Sequence, residues 1–235
     1  GDWSSDVCSS DLDMKTLLAV IIGALAFQTQ AAITIDASRV IYSGKDKSAS
    51  LKINNRSSKN YIVQTWLDTG PETPSSGLPI VATPPLVKLR PEQSAQLRFI
   101  YSGTGLPADR ESLFWVNIQE VPPAPEENNI LQFAIRTRLK LFYRPQGIAT
   151  SLPKAVENLQ WQQSANTLSF TNNSPLHITV INAEAIDNKG KIYPLKNFML
   201  LPYSHHAVNI ASIQRLHKMK YINDYGAVVD IPIKK

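Results

Sequence analysis

Three observations predict an all-β chain of two modules. Apolar residues recur with period two along many short segments, the spacing that places alternate side chains on one face of a strand. Prolines (16) outnumber glycines (10), and they close many of these segments, because proline has no N–H to give to a ladder. No stretch shows the apolar stripe of a long amphipathic helix. With 235 residues, 43% hydrophobic and 18% charged, the chain suffices for one large or two ordinary domains.

The N-terminal segment is read as processed, not folded. Residues 1–13 are acidic where an export segment should be basic, and read as a non-native leader. Residues 14–31 read as a signal peptide. Met14-Lys15 is a charged start, and Leu17 to Phe27 is an apolar run within the about 7–15 residues of a secretory segment, too short for a membrane span of about 20. Thr29-Gln30-Ala31 offers small residues to a signal peptidase, with the cut expected before Ala32. Cys8, the single cysteine, lies in the leader, so the chain from Ala32 forms no disulfide and relies on its core. The whole chain carries +5 and residues 1–31 carry −3, which leaves +8 on the rest. Such a basic exported protein suits acidic partners or carboxylates. Nucleic acid is not an expected partner, because no Lys/Arg run is interleaved with aromatics.

The first module is expected over residues 32–147. Ile33 to Tyr42 reads as one strand and Ser43 to Lys47 as a turn. Ser50 to Asn54 alternates, and Tyr61 to Asp68 is rich in β-branched and aromatic residues. Thr83-Pro84-Pro85 is a break with a candidate cis X–Pro bond. Leu86 to Leu89, Ala95 to Tyr101 and Leu113 to Val121 are strands, the last closed by Pro122-Pro123. The longest alternation follows, from Leu131 to Pro145. It puts Leu131, Phe133, Ile135, Thr137, Leu139, Leu141 and Tyr143 on one face, and Arg136, Arg138 and Lys140 on the other with Phe142. About seven short strands in one module is the pattern of an immunoglobulin-like sandwich.

Pro145-Gln146-Gly147 marks a hinge. The second module, residues 148–235, is smaller and also β. Its expected strands are Leu159 to Trp161, Thr167 to Thr171, Ile178 to Ile186, Ile192 to Leu195, Ala207 to Ile210 and Gly226 to Ile233.

Catalytic and metal signatures are missing. His205 and His206 are adjacent, so on a strand they point to opposite faces and cannot share a metal, and no cysteine cluster exists. There is no nucleophile elbow, phosphate loop or zinc-protease helix motif. Asp109-Arg110-Glu111 reads as a structural ion pair. Asn55-Arg56-Ser57 and Asn172-Asn173-Ser174 match a glycosylation sequon too short to be specific. No cofactor, metal or enzymatic activity is expected.

Several stretches together resemble the periplasmic chaperones of the chaperone–usher pilus pathway. They are Ser38-Arg39-Val40-Ile41-Tyr42, Thr83-Pro84-Pro85, Leu106 to Trp115 (LPADRESLFW), Lys140-Leu141-Phe142-Tyr143-Arg144-Pro145 and Tyr221-Ile222-Asn223-Asp224-Tyr225-Gly226. The resemblance implies two immunoglobulin-like β-sandwich domains in a boomerang arrangement. It implies that the protein holds pilus or fimbrial subunits in the periplasm by donor-strand complementation and delivers them to an outer-membrane usher. By resemblance, Leu131, Phe133 and Ile135 belong to the donor strand, Arg39 and Lys140 grip the subunit's C-terminal carboxylate, and Glu111, Arg144 and Asp224 form an interdomain ion network. The short connection from Pro122 to Asn129 resembles the short-loop subgroup. The second module departs from the family: an Asn-Pro-Thr-Pro-aromatic-aromatic motif is replaced by Asn172-Asn173-Ser174-Pro175-Leu176-His177. An unliganded donor edge would favour self-association, with Arg136 and Arg138 as guarding charges.

The main alternative is a pilus or adhesin structural subunit. That reading expects an alternating donor segment at the N-terminus, whereas here it is internal and a second module follows. A sandwich-fold enzyme lacks its catalytic groups, and a carbohydrate-binding module lacks an evident tryptophan platform.

Overall fold

The computed structural model describes residues 32–70, 77–125, 131–164, 166–210 and 214–233; the expected leader, signal peptide and cleavage position precede them. The all-β reading holds, with two separate cores. The first module contains β1 (Ile33–Ile35), β2 (Arg39–Ser43), β3 (Ala49–Asn55), β4 (Tyr61–Asp68), β5 (Ile80–Thr83), β6 (Leu86–Leu89), β7 (Ser94–Tyr101), β8 (Ser112–Val121) and β9 (Arg136–Arg144). One sheet runs β1-β3-β7-β5 and the other β2-β9-β8-β4-β6. Between them lie the inward members of each alternation, among them Leu51, Ile53, Val63, Leu97, Phe99, Val116, Ile118 and Leu141.

Two expectations for this module need correction. The single strand expected from Ile33 to Tyr42 is two strands in different sheets. β1 pairs antiparallel with β3, while β2 pairs parallel with β9, from Arg39 opposite Lys140 to Ser43 opposite Arg144. The intervening turn is held by Asn54, whose Nδ2 donates to Asp36 Oδ1 at 2.8 Å. The strand expected from Leu131 begins only at Arg136. Leu131, Phe133 and Ile135 therefore lie outside a strand. Leu131 and Phe133 lie beyond the end of β8, which runs only two residues past the Gln119–Arg136 pair, and β2 joins β9 only from Lys140. One backbone bond, from Glu120 N–H to the Ile135 carbonyl at 2.9 Å, continues the ladder. The Thr83–Pro84 bond is cis.

The second module opens with a short helix, α1 (Leu152–Glu157), that the sequence reading lacked. Its strands are β10 (Gln160–Ser164), β11 (Thr167–Asn172), β12 (Ile178–Asp187), β13 (Ile192–Pro194), β14 (Phe198–Leu200), β15 (Ser204–Asn209), β16 (Gln214–Ile222) and β17 (Val228–Asp230). One sheet runs β10-β11-β15, the other β13-β12-β16-β17 with β14 paired to β12. The long strand β16 was not expected. Its buried residues are Leu216, Met219 and Tyr221, and the ladder with β12 shifts register at Glu184. A bulge of this kind breaks strict alternation and hides the strand from a period-two reading.

The two sequon matches are structural twins. The buried Asn55 donates to the carbonyls of Lys59, Leu89 and Arg90 and accepts from Ser57. The buried Asn172 donates to the carbonyls of Leu176 and Leu201 and accepts from Ser174. Each asparagine fixes a loop by satisfying backbone groups that would otherwise be left without partners.

Candidate functional site

The expected site residues gather around β9 and the facing loops of the second module. Glu111 stands just before β8, Arg144 ends β9, and Asp224 sits in the turn between β16 and β17. Arg144 donates to Glu111 Oε1 at 3.1 and 2.9 Å, and to both Asp224 oxygens at 2.9 and 3.0 Å. The Glu111 side chain is only 1% exposed. Burial works against the Arg144 charge, but Asp224 and Glu111 outweigh it and hold its pKa above the ordinary value.

Local structure aims these groups. Asn223 Oδ1 accepts the amides of Tyr225 and Ala227, which shapes the turn presenting Asp224. Gly226 has φ of +84°, and a Cβ there would collide with Ser38 Oγ in the first module. The loop fixed by Asn172 delivers two more groups: the Pro175 carbonyl accepts the Glu111 amide at 2.9 Å, and His177 reaches the carboxylate. The His177 amide donates to Glu111 Oε2 at 2.8 Å, its Nδ1 lies 2.9 Å from the same oxygen, and its ring packs on Phe142. Sequence reasoning missed His177, although it noted His177 as a departure from an aromatic motif. Asp109 and Arg110 do pair, at 2.8 Å, while Glu111 turns away to Arg144. Phe142, expected on the outer face of β9, is buried against the second module's His177.

Arg39 and Lys140 are opposite each other in the β2–β9 ladder. The Arg39 Nε is buried without a hydrogen-bond partner. Burial lowers the Arg39 pKa, with Asp224 opposing. Burial, then the neighbouring Arg39 charge, lowers that of Lys140. The Lys140 ammonium meets the Sδ of Met199 at 3.3 Å and the Trp115 ring at 5.5 Å from its centroid. Neither is a strong acceptor. Arg39 and Lys140 are thus two partly desolvated cations side by side.

Leu131, Phe133 and Ile135 are 77%, 73% and 47% exposed. The residues of the same parity further along, Leu139, Leu141 and Tyr143, are in the core of the first module. The greasy face of one alternation thus runs out of the core into solvent. Among the described residues, no strand pairs with Arg136 to Leu139 on the side away from β8. Arg136 and Arg138 lie on the sheet face over Trp66 and Trp115, at 5.9 and 4.4 Å, and Arg138 also pairs with Asp68. Burial works against the Asp68 carboxylate, but Asn117 and Arg138 hold its pKa below the ordinary value. Both indole faces are covered by cations. No group of three or more His, Cys, Asp or Glu among the described residues could hold a metal, and no described helix is long and apolar enough to cross a membrane.

The first sandwich thus carries an open strand edge and, next to it, a pair of adjacent cations. Residues 32–149 match the family described as pili and flagellar-assembly chaperone, PapD N-terminal domain, and residues 154–232 match pili assembly chaperone PapD, C-terminal domain. The chain belongs to this pilus-assembly chaperone family. It is 32% identical to the probable fimbrial chaperone YadV of Escherichia coli K12, over 92% of this chain and 95% of that one. Among solved structures, the CupB2 chaperone of Pseudomonas aeruginosa matches with a TM-score of 0.73 at 30% identity, over 84% of this chain and 97% of the other. A chain of the Salmonella enterica complex of SafA pilin with the SafB chaperone matches with a TM-score of 0.70 at 25% identity, over 85% of this chain and 94% of the other.

Proposed function

We propose that this protein captures pilus subunits in the periplasm by lending them a strand, and hands them to an outer-membrane usher. The observation that carries the reading is the exposed segment of Leu131, Phe133 and Ile135, continuous with the unpaired edge of β9. A subunit strand can pair along that edge while the three apolar side chains fill its open groove. Full burial of such side chains contributes about 1.5–3 kcal/mol each, or about 5–9 kcal/mol together before ordering costs. Arg39 and Lys140 take the subunit's C-terminal carboxylate and so fix the register, their charge-assisted bonds strengthened by partial desolvation. The role is holding and delivery, without catalysis. When no subunit is bound, the same edge supports self-association.

The clamp is tested by substitution. Arg39→Ala or Lys140→Ala should abolish co-purification of the subunit while the chaperone keeps its circular dichroism spectrum and thermal midpoint. Normal piliation with either variant would overturn the assignment.

A further inference from the structure

We propose that Met199 is an oxidation site that regulates the clamp: a peroxide converts its thioether to the sulfoxide, whose oxygen then takes the Lys140 ammonium. The inference rests on the assignment of Lys140 to carboxylate binding. Met199 sits on β14 of the second module, with its Sδ 3.3 Å from Lys140 Nζ. The described residues contain one other sulfur, that of Met219, which is 1% exposed, whereas Met199 is half-buried. Of the two described methionines, Met199 is the less buried, and its sulfur touches the clamp.

The chemistry is closed. The Sδ lone pair attacks one peroxide oxygen, the O–O bond breaks, and an S–O bond forms. The proton on the transferred oxygen passes to the departing hydroxide, which leaves as water. The sulfur loses the electron pair that the peroxide gains. A thioether is a weak acceptor, and a sulfoxide oxygen is a strong one. Seating that oxygen requires the two flexible side-chain ends to part by about 1 Å, to reach an ordinary hydrogen-bond distance. The ammonium is then satisfied within the chaperone, and an incoming carboxylate must displace a made bond. Sulfoxide reductases reverse the change.

The test uses acetate as the carboxylate probe, with acetamide as the uncharged control, and the Trp115 indole resonance of the purified protein as the reporter. Hydrogen peroxide should oxidise Met199 and spare Met219 by peptide mass mapping. It should weaken acetate binding about three- to tenfold, the scale of one competing hydrogen bond. Methionine sulfoxide reductase should restore the affinity. In Met199→Leu, peroxide should leave acetate affinity equal to that variant's own untreated control. Met199→Gln, with a permanent amide acceptor, should bind acetate weakly without peroxide. Oxidised Met199 with unchanged acetate affinity would overturn the inference, as would oxidation of Met219 ahead of it. If untreated Lys140→Ala binds acetate as the unsubstituted protein does, the clamp assignment itself fails, an outcome separate from the oxidation arm.

Discussion

Glu120 and Glu111 are the buried glutamates among the described residues, and their surroundings differ. Glu111 faces Arg144. Glu120 points inward from β8 among apolar side chains, and burial raises its pKa, opposed in part by the Ile33 backbone amide. A carboxyl whose pKa is raised on folding contributes stability below its unfolded value, about 4.3, and loses it as pH rises through the folded value. Glu120→Gln should therefore raise the urea midpoint at about pH 7, and the gain should vanish below about pH 4. Midpoints that change equally at both pH values would exclude this account. Glu120 was legible in principle: Phe114, Val116, Ile118 and Glu120 share one parity of β8, so the alternation that placed the core also placed a carboxylate in it. Arg39, Lys140, Glu111, Arg144 and Asp224 were singled out through family resemblance. His177 and Met199 were not, because each acts through a contact with the other module that no local pattern announces.

At the scale of elements, β9 shows what alternation reveals and what it conceals. The period-two pattern from Leu131 to Tyr143 records which side chains share a face. It does not record whether a neighbour exists to pair with, so the sequence reading ran the strand five residues beyond the ladder's start at Arg136. The mismatch bears on function. An apolar face without a neighbour has a defined chemistry for a partner and no role in the chaperone's own core. Phe133 is 73% exposed, so Phe133→Glu should change the chaperone's own stability by less than about 0.5 kcal/mol, as exposed substitutions do. The same charge would be buried against a captured subunit, and co-purification should be lost. If Phe133→Glu unfolds the isolated protein, the segment is core and the donor-strand assignment is wrong. β16 fails in the opposite sense: its ladder is real, and the bulge disrupts the alternation that would have announced it.

For the molecule as a whole, the consequential group is Arg144, which joins elements distant in sequence. Its guanidinium binds Glu111 before β8 and Asp224 beyond β16, while Glu111 also takes the His177 amide from the loop after β11. A side chain of this kind couples two separately packed cores. Removing it strands Glu111, which is 1% exposed, whereas Asp224 is exposed enough to regain water. Breaking a buried pair costs about 3–5 kcal/mol, and an exposed pair below about 1 kcal/mol. The His177 amide still supports Glu111, so Arg144→Ala should fall near about 3 kcal/mol. Arg144→Lys should recover part of this, because an ammonium keeps the charge but cannot make the paired bonds to Asp224. The effect should extend beyond stability. With the link cut, the modules still share the Glu111–Pro175 backbone bond, the bonds from His177 to Glu111, the Lys140–Met199 contact and the packing of Phe142 on His177. Solution scattering of Arg144→Ala should show a broader distribution of intermodule distances, and subunit capture should weaken even though Arg39, Lys140 and Phe133 are untouched. Unchanged unfolding and an unchanged scattering profile would mean that packing alone sets the angle, and that the ions are incidental to it.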